Sequence, residues 1–183
     1  MKVAVLFPGQ GSQYLGMGKE FIDNDKECAA LMAMAEATCD INLSKLCNEG
    51  PMEELTRAAC LQPALATVNL ICWHAFLQKA GNYFEVSCFA GHSLGEYSAL
   101  YAAGVISAED TMRLVSKRGA LMEREGLINP GGMRAVLGLY IEELEEIIDG
   151  CSEIGIVTAA NHNSPQQIVI SGNTEGLDAV STI

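Results

Sequence analysis

Positive charge is scarce in this 183-residue chain, which carries 11 lysines and arginines against 23 aspartates and glutamates. The net charge of −12 argues against nucleic acid or an anionic membrane as a partner, because both repel an acidic protein. No C-x-x-C pair occurs and the seven cysteines are odd in number, so reduced thiols are predicted rather than a disulfide framework or a zinc site. No apolar run approaches the ~20 residues of a membrane helix. These shortages predict a cytoplasmic protein with no metal site and no membrane segment.

The start of the chain also lacks a signal-peptide core, because the apolar run from Val3 to Phe7 is short and Pro8-Gly9 ends it. Apolar residues, by contrast, are abundant. Its hydrophobic content of 49% and charged content of 19% are typical of a globular protein with a large core. The length suits one good domain.

Residues 91–95 read Gly-His-Ser-Leu-Gly and fit G-x-S-x-G, the pattern of a nucleophilic serine on a sharp turn between a strand and a helix. The flanking segments agree with that setting. Residues 86–90 form a short apolar run typical of a buried strand, and residues 96–103 form a small-residue helical pattern. Ser93 is therefore the candidate nucleophile, and a plain tight turn with a surface serine is the competing interpretation.

A glycine-rich loop at residues 8–13 follows an apolar run, residues 2–7, that is typical of a parallel strand covered on both faces. Tyr14 stands where a dinucleotide loop needs glycine, and Met17 stands where a P-loop needs lysine. The loop is better interpreted as backbone brought close to a small site, with Gln10 as its polar side chain. An ordinary turn remains the alternative for this segment by itself.

Helical patterns cover much of the chain between these motifs and beyond them. One helix is predicted over residues 26–39 and a long apolar one over residues 64–79, in which His74 is expected to be a core or rim histidine. A further helix is predicted from a capping Ser107 to about Arg124, with a stop at Gly126. Arg118 lies in its second half, where an arginine also suits solvent and the helix dipole.

From residue 131 the order of elements changes to β-α-β-β-α, with strands at 133–139, 154–160 and 167–171. This is five-sixths of a ferredoxin-like unit. The last predicted helix begins at Asn173 and reaches Ile183 without a stop signal, so the sequence predicts a chain that ends inside an element. The expected domains are residues 1–128 and residues 129–183.

Three segments together resemble one family, the malonyl-CoA:acyl carrier protein transacylases. They are residues 7–13 (FPGQGSQ), residues 91–99 (GHSLGEYSA) and residues 161–172 (NHNSPQQIVISG). The resemblance implies an α/β-hydrolase-like parallel-sheet core with an inserted ferredoxin-like subdomain, both incomplete at the C-terminus. It also implies transfer of malonyl from malonyl-CoA, through a serine ester, to the phosphopantetheine thiol of acyl carrier protein. No cofactor is implied, because coenzyme A arrives as the substrate thioester.

The resemblance assigns roles to four residues. Ser93 matches the acylated nucleophile, and Gln10 with the backbone N–H of Leu94 matches the groups that hold the carbonyl oxygen as it becomes negative. Arg118 matches the arginine that grips the free malonyl carboxylate with its planar fork.

Two departures accompany the resemblance. Arg134 stands in a strand where the family usually carries a small residue. The family's general base is a histidine beyond the small subdomain, and none of His74, His92 and His162 matches it.

Two other functions remain open at this point. A serine esterase or lipase shares G-x-S-x-G and would need neither Arg118 nor the Gln10 loop. An inactive fragment or carrier-protein-binding module would explain the unmatched histidine.

Overall fold

The computed structural model describes residues 1–183, an α/β arrangement of five strands, nine α-helices and one 3₁₀-helix. The elements fall into two compact units, Met1–Glu123 and Arg124–Ile183. The strands are β1 (Lys2–Phe7), β2 (Glu85–Gly91), β3 (Gly132–Leu137), β4 (Val157–Ser164) and β5 (Gln167–Gly172). The helices are α1 (Lys19–Asn24), α2 (Lys26–Cys39), α3 (Leu43–Glu49), α4 (Met52–Thr56), α5 (Ala58–Ala80), α6 (Gly95–Ala102), α7 (Ala108–Ile128), α8 (Ile141–Gly150) and α9 (Thr174–Ser181), with a 3₁₀ turn at Gly81–Tyr83.

The first unit contains a two-stranded parallel sheet in which β1 pairs with β2 from Lys2↔Glu85 to Phe7↔Gly91. The predicted strands and their parallel direction are confirmed. Their predicted coverage on both faces is wrong, because Phe7 is the one buried residue of β1 and none of β2 is buried. A sheet of two strands offers too little area for helices to cover.

Helix α5 forms the centre of the first unit. Fourteen of its 23 residues are buried, among them the polar Gln62, Thr67 and Asn69. Apolar residues of α2, α3 and α4 pack around it, including Met32, Leu43 and Leu55. The segment Ala58–Tyr83 is long and apolar enough to cross a membrane by length and composition alone. However, 78% of its most apolar stretch of 18 residues is buried inside the protein. Burial identifies it as a core helix.

Two helix ends differ from the sequence prediction. Helix α5 begins at Ala58, before the predicted start at residue 64, and contains Pro63. Its first turn is stabilised by Glu123 of α7, whose carboxylate accepts a hydrogen bond from the Ala59 N–H (3.1 Å). Helix α7 continues through Gly126 to Ile128. Glycine in a helix costs only about 1 kcal/mol, and Pro130 supplies the stronger stop two residues beyond the end.

In the second unit, β5 lies between β3 and β4 and pairs antiparallel with both. Helices α8 and α9 contribute Leu144 and Leu177 to a small core with Ile168 and Ile170 of β5. The predicted β-α-β-β-α order is confirmed. The strand predicted over residues 154–160 is β4 and extends to Ser164, so His162 lies in it. Helix α9 ends at Ser181, short of the predicted end at Ile183.

The Arg134 side chain faces α9. Its Nη1 donates to the Leu177 carbonyl (2.8 Å) and to Ser181 Oγ (2.8 Å), and its Nη2 pairs with Asp178 Oδ1 (2.5 Å). A cation at the last turn of a helix is favourable because the carbonyl ends there are partly negative. Arg134 therefore ties β3 to α9.

All seven cysteines are free, as predicted. Four of them are buried, Cys39 is partly buried, and Cys72 and Cys88 are exposed. Burial is also the main cause that raises the pKa of Cys47 to about 11, so this thiol stays protonated at neutral pH.

Candidate active site

Ser93 lies on a sharp turn between β2 and α6, in the predicted strand–turn–helix setting. Its φ of 53° places a non-glycine residue in the left-handed region, which ordinarily costs roughly 1–2 kcal/mol. Such backbone strain persists only where the surroundings enforce it, and it concentrates at functional sites. The turn holds the serine hydroxyl above the end of the strand, as G-x-S-x-G predicts.

Close backbone approach explains the two glycines around Ser93. A Cβ on Gly91 would overlap the Gly95 carbonyl, and a Cβ on Gly95 would overlap the Phe7 carbonyl. The contacts are with backbone, which has no alternative rotamer to adopt. Side chains at these two positions would therefore force the turn apart.

The glycine-rich loop lies beside this turn because parallel neighbours end at the same edge of a sheet. Phe7 is in register with Gly91, and the His92 N–H donates to the Phe7 carbonyl (3.0 Å). Asn69 of α5 fixes the loop from below, since its Nδ2 donates to the Pro8 carbonyl (3.2 Å) and to Ser98 Oγ of α6 (3.2 Å). One buried amide thus links the loop, α5 and the helix that follows Ser93.

Arg118 of α7 reaches the candidate nucleophile. Its Nη2 donates to Ser93 Oγ (2.9 Å), and its Nη1 donates to Gln62 Oε1 (2.8 Å). Gln62 is fully buried and uses its Nε2 to bind Met122 Sδ (2.9 Å), so its oxygen is turned toward the arginine. The guanidinium is therefore held by one buried amide and aimed at the serine.

Helix α7 is fixed against the start of α5 near Arg118. Gly119 lies so close to the Ala58 carbonyl that a Cβ would overlap it. Glu123 accepts from Arg57 Nε (3.2 Å) and Nη2 (2.5 Å). The hydrogen bonds from Arg57, followed by that from Ala59, lower the pKa of the Glu123 carboxyl. These contacts set the position of the helix that carries Arg118.

The other two predicted site residues occupy the serine turn and the loop after β1. Leu94 follows Ser93 directly and is buried, and its backbone N–H stands at the start of α6 without an acceptor in the chain. Gln10 is exposed in the loop after β1, whose Gly9 lies against the His92 carbonyl. The structure thus brings Ser93 and Arg118 into direct contact and leaves the Leu94 N–H and the Gln10 amide available to a ligand.

Sequence reasoning missed Gln62, Asn69 and Glu123. Asn69 carried a signal, since it is an amide inside the apolar pattern predicted as a helix over residues 64–79 and a buried amide needs partners. Gln62 stands before that predicted helix, so the pattern did not indicate its burial. Glu123 carried none, because acidic residues are common on exposed helices.

The histidines occupy different settings. His74 is partly buried on α5, and its Nε2 contacts Gln78 Nε2 (2.8 Å) and Glu27 Oε2 (3.1 Å), which confirms the prediction of a hydrogen-bonded rim histidine. His92 follows β2, and His162 lies in β4 of the second unit. The grouping of possible metal donors, Asp25, Cys28 and His74, lies on α2 and α5.

Comparison with known proteins places this geometry in a family. Residues 5–182 match the family model described as acyl transferase domain. The chain belongs to the acyl transferase domain family. It is 42% identical over 183 residues to a malonyl CoA-acyl carrier protein transacylase of Bacillus subtilis, which covers all of this chain and 57% of that relative.

Solved structures resemble this acyl transferase domain closely. The malonyl CoA-acyl carrier protein transacylase of Clostridium perfringens superposes with a TM-score of 0.87 at 43% identity, over 98% of this chain and 56% of that one. A malonyl-transacylase solved in complex with its type II polyketide acyl-carrier protein gives a TM-score of 0.90 at 37% identity, over 100% of this chain and 58% of that one. The chain thus spans a little more than half the length of these relatives.

Proposed function

We propose that the protein transfers a malonyl group from malonyl-CoA to the phosphopantetheine thiol of acyl carrier protein, with an ester on Ser93 as the intermediate. The observation that carries this proposal is the contact between Ser93 Oγ and Arg118 Nη2 (2.9 Å) in a chain of the acyl transferase domain family. A serine and an arginine side by side suit an acyl group that ends in a carboxylate. The similar proteins of Bacillus subtilis and Clostridium perfringens are named malonyl CoA-acyl carrier protein transacylases, which agrees with such a substrate.

The first half-reaction forms the ester. Ser93 Oγ attacks the thioester carbonyl, a general base takes the serine proton, the C–S bond breaks and coenzyme A leaves as its thiol. The second half-reaction repeats these steps with the carrier's thiol as nucleophile and Ser93 as leaving group. We do not assign His74 as the base, because Glu27 and Gln78 hold its Nε2.

The negative carbonyl oxygen of each tetrahedral intermediate needs donors already in place. We assign the Leu94 N–H and the Gln10 amide to this role, because the Leu94 N–H follows Ser93 without an acceptor and the exposed Gln10 lies in the loop that contacts the serine turn through Gly9 and His92. Leu94 also precedes the first turn of α6, where the partial positive charge of the helix favours an anion. Removal of one such donor from comparable enzymes costs roughly 100- to 1,000-fold in kcat.

We assign Arg118 to the free carboxylate of malonyl. Two of the five guanidinium N–H groups bind Gln62 and Ser93, which leaves three for a ligand. The Gln62 contact keeps the guanidinium beside Ser93 while the substrate carboxylate binds. An acetyl group would leave these donors unpaired, so the site should favour a dicarboxylic acyl group.

The wider architecture is part of the proposal. We propose that residues 1–128 belong to an α/β-hydrolase-like core and residues 129–183 to a ferredoxin-like subdomain. The parallel pair β1–β2 ending at the candidate nucleophile supports the first, and the sheet order β3-β5-β4 supports the second. Seven free cysteines and the buried α5 suit a cytoplasmic location.

Intact-mass measurement tests the proposed function. The chain, alone and fused to the remaining part of the Bacillus subtilis relative, is incubated with malonyl-CoA, and Ser93→Ala is treated identically. We expect one malonyl adduct that disappears in the variant and passes to acyl carrier protein when that protein is added. Equal labelling of both chains would refute the assignment of Ser93. Loss of the adduct to water at the same rate with and without carrier protein would indicate an esterase instead.

A further inference from the structure

Three side chains with metal-binding atoms meet where α2 begins against α5. A carboxylate oxygen of Asp25, the Sγ of Cys28 and a ring nitrogen of His74 lie within 4.8 Å of one another. A fourth possible donor is adjacent, since Glu27 Oε2 lies 3.1 Å from His74 Nε2. Cys28 and His74 come from different helices, so the grouping is created by packing rather than by one local motif.

The fold fixes two of these donors firmly. Asp25 caps α2, and its Oδ1 accepts from the N–H groups of Glu27 (2.8 Å) and Cys28 (3.0 Å), which leaves Oδ2 for another partner. Cys28 is fully buried and packs in the main core. The side chain of His74 is 21% exposed and retains some freedom to rotate.

The donor set has a definite metal preference. Zinc takes thiolate, imidazole and carboxylate ligands together, usually four in a tetrahedron at about 2.0–2.3 Å from the ion. Magnesium and calcium, by contrast, prefer oxygen ligands alone. We propose that Asp25, Cys28 and His74 form a zinc-binding site, with Glu27 or a water molecule in the fourth position.

The geometry needs only a small adjustment to hold the ion. Neighbouring ligands of a tetrahedral zinc ion lie about 3.5 Å apart, and the present donors span at most 4.8 Å. Rotation of the partly exposed His74 would bring its ring nitrogen toward Asp25 Oδ2 and Cys28 Sγ, which both stay in place. A cleft of about 380 Å³, lined in part by Glu20, Asp25 and Gln78, gives solvent ions access to this point.

Zinc binds cysteine as the thiolate, so uptake of the ion would release the proton of Cys28 Sγ.

The proposal differs from the expectation drawn from the sequence. The cysteine spacing predicts no zinc site because it contains no C-x-x-C pair, whereas the structure places a carboxylate from position 25 and an imidazole from position 74 beside Cys28. A bound ion would cross-link α2 to α5, the helix that carries Gln62 and Asn69. Zinc would therefore stabilise the scaffold that holds the candidate active site.

Titration with zinc against a chromophoric chelator tests this site, and cobalt serves as a spectroscopic probe. We expect one equivalent of zinc to bind, and we expect cobalt to produce an absorption band that reports a thiolate ligand. Cys28→Ser and His74→Ala should lower the affinity by at least the roughly 10–100-fold that loss of even an outer-shell partner costs. Asp25→Asn provides a milder variant, because asparagine can still cap α2.

Cys88→Ser is the matched control, since its thiol is exposed and lies on β2, outside the grouping. It should bind zinc as the wild-type chain does. Equal zinc affinity in Cys28→Ser and wild type would overturn the proposal, and so would loss of binding in the control alone. Failure of the folded wild-type chain to take up zinc or cobalt would also overturn it. Circular dichroism of each variant separates loss of the site from loss of the fold.

Discussion

Helix α5 and the β1–β2 sheet lie in the same unit but differ sharply in how well they are buried. Of the 23 residues of α5, 14 are buried, whereas Phe7 is the one buried residue of the two strands. The candidate nucleophile follows the poorly covered sheet. Gln62 binds Arg118 and Asn69 binds the loop after β1, and both of these amides lie in the well-packed helix.

This difference shows where the precision of the site originates. A thinly covered sheet cannot by its own packing fix a hydroxyl to within a fraction of an ångström. Hydrogen bonds from buried amides of α5 reach the loop after β1 and the guanidinium of Arg118, and backbone contacts at Gly91 and Gly95 close the turn. The geometry of the candidate active site therefore depends on the helical layer.

Gly91→Ala should have the largest effect, because its Cβ would overlap backbone at the serine turn. We expect a loss of at least about 3 kcal/mol in the free energy of unfolding, measured by urea denaturation, together with loss of acylation. Gly126→Ala is the matched control, since it has open space inside a helix and should stabilise by up to about 1 kcal/mol. Equal stability of the two variants would contradict the account of the turn.

Gln62→Leu should come next. It removes the acceptor of Arg118 Nη1 and leaves a partly buried charged donor unpaired, which costs about 1–3 kcal/mol. We expect KM for malonyl-CoA to rise by roughly 5- to 150-fold, with secondary structure retained, as measured by steady-state kinetics. Gln62→Glu restores an acceptor and should recover binding. If both variants lose activity equally, Gln62 acts through packing and not through Arg118.

Glu123→Gln should have a smaller effect that depends on pH. Hydrogen bonds from Arg57 and from the Ala59 N–H lower the pKa of Glu123 from 4.5, so its contribution to stability is present above that pH and is lost on acidification. The melting temperature of the variant should therefore be lower than wild type near pH 7, and the difference should shrink below pH 4.5. Glu125→Gln, which removes an exposed contact with Arg124, should change little at any pH. A constant difference across pH would contradict the ionic account.

Arg134→Met should have the smallest effect, confined to the second unit. The side chain is 38% exposed and its ion pair with Asp178 is at the surface, so a loss of at most about 1 kcal/mol is expected. Hydrogen exchange should become faster in β3 and α9, while labelling of Ser93 stays unchanged. A large loss of labelling would show that Arg134 contributes to the acylation site.

The sequence predicted elements well wherever local signals act alone. Helix α2 and strand β1 match their predicted bounds, because a capping Asp25 and the proline after Phe7 mark their ends. The start of α5 was missed because Glu123, far away in sequence, supports its first turn. The exposure of β1 was missed because an apolar run is the same whether or not helices cover it.

The candidate site divides in the same way. The G-x-S-x-G turn was predicted from its spacing, since that spacing is a local steric requirement. The position of Arg118 beside Ser93 came from a family resemblance, because periodicity alone favours solvent for an arginine there. Asn69 was visible as an amide in the predicted apolar helix, whereas Gln62 precedes that predicted helix, and the partners of both are known only from the packing.

The ratio of malonyl to acetyl labelling of Ser93 tests the central claim most directly. Arg118→Ala and Arg118→Lys are compared with wild type by intact mass, using malonyl-CoA and acetyl-CoA. A partly desolvated carboxylate without its partner costs about 2–5 kcal/mol. Arg118→Ala should therefore lower malonyl labelling by roughly 30- to 5,000-fold relative to acetyl labelling. Arg118→Lys keeps the charge but loses the planar fork of the guanidinium, so its ratio of malonyl to acetyl labelling should lie between those of wild type and Arg118→Ala. Equal loss of malonyl and acetyl labelling would show that Arg118 supports the turn without selecting the substrate.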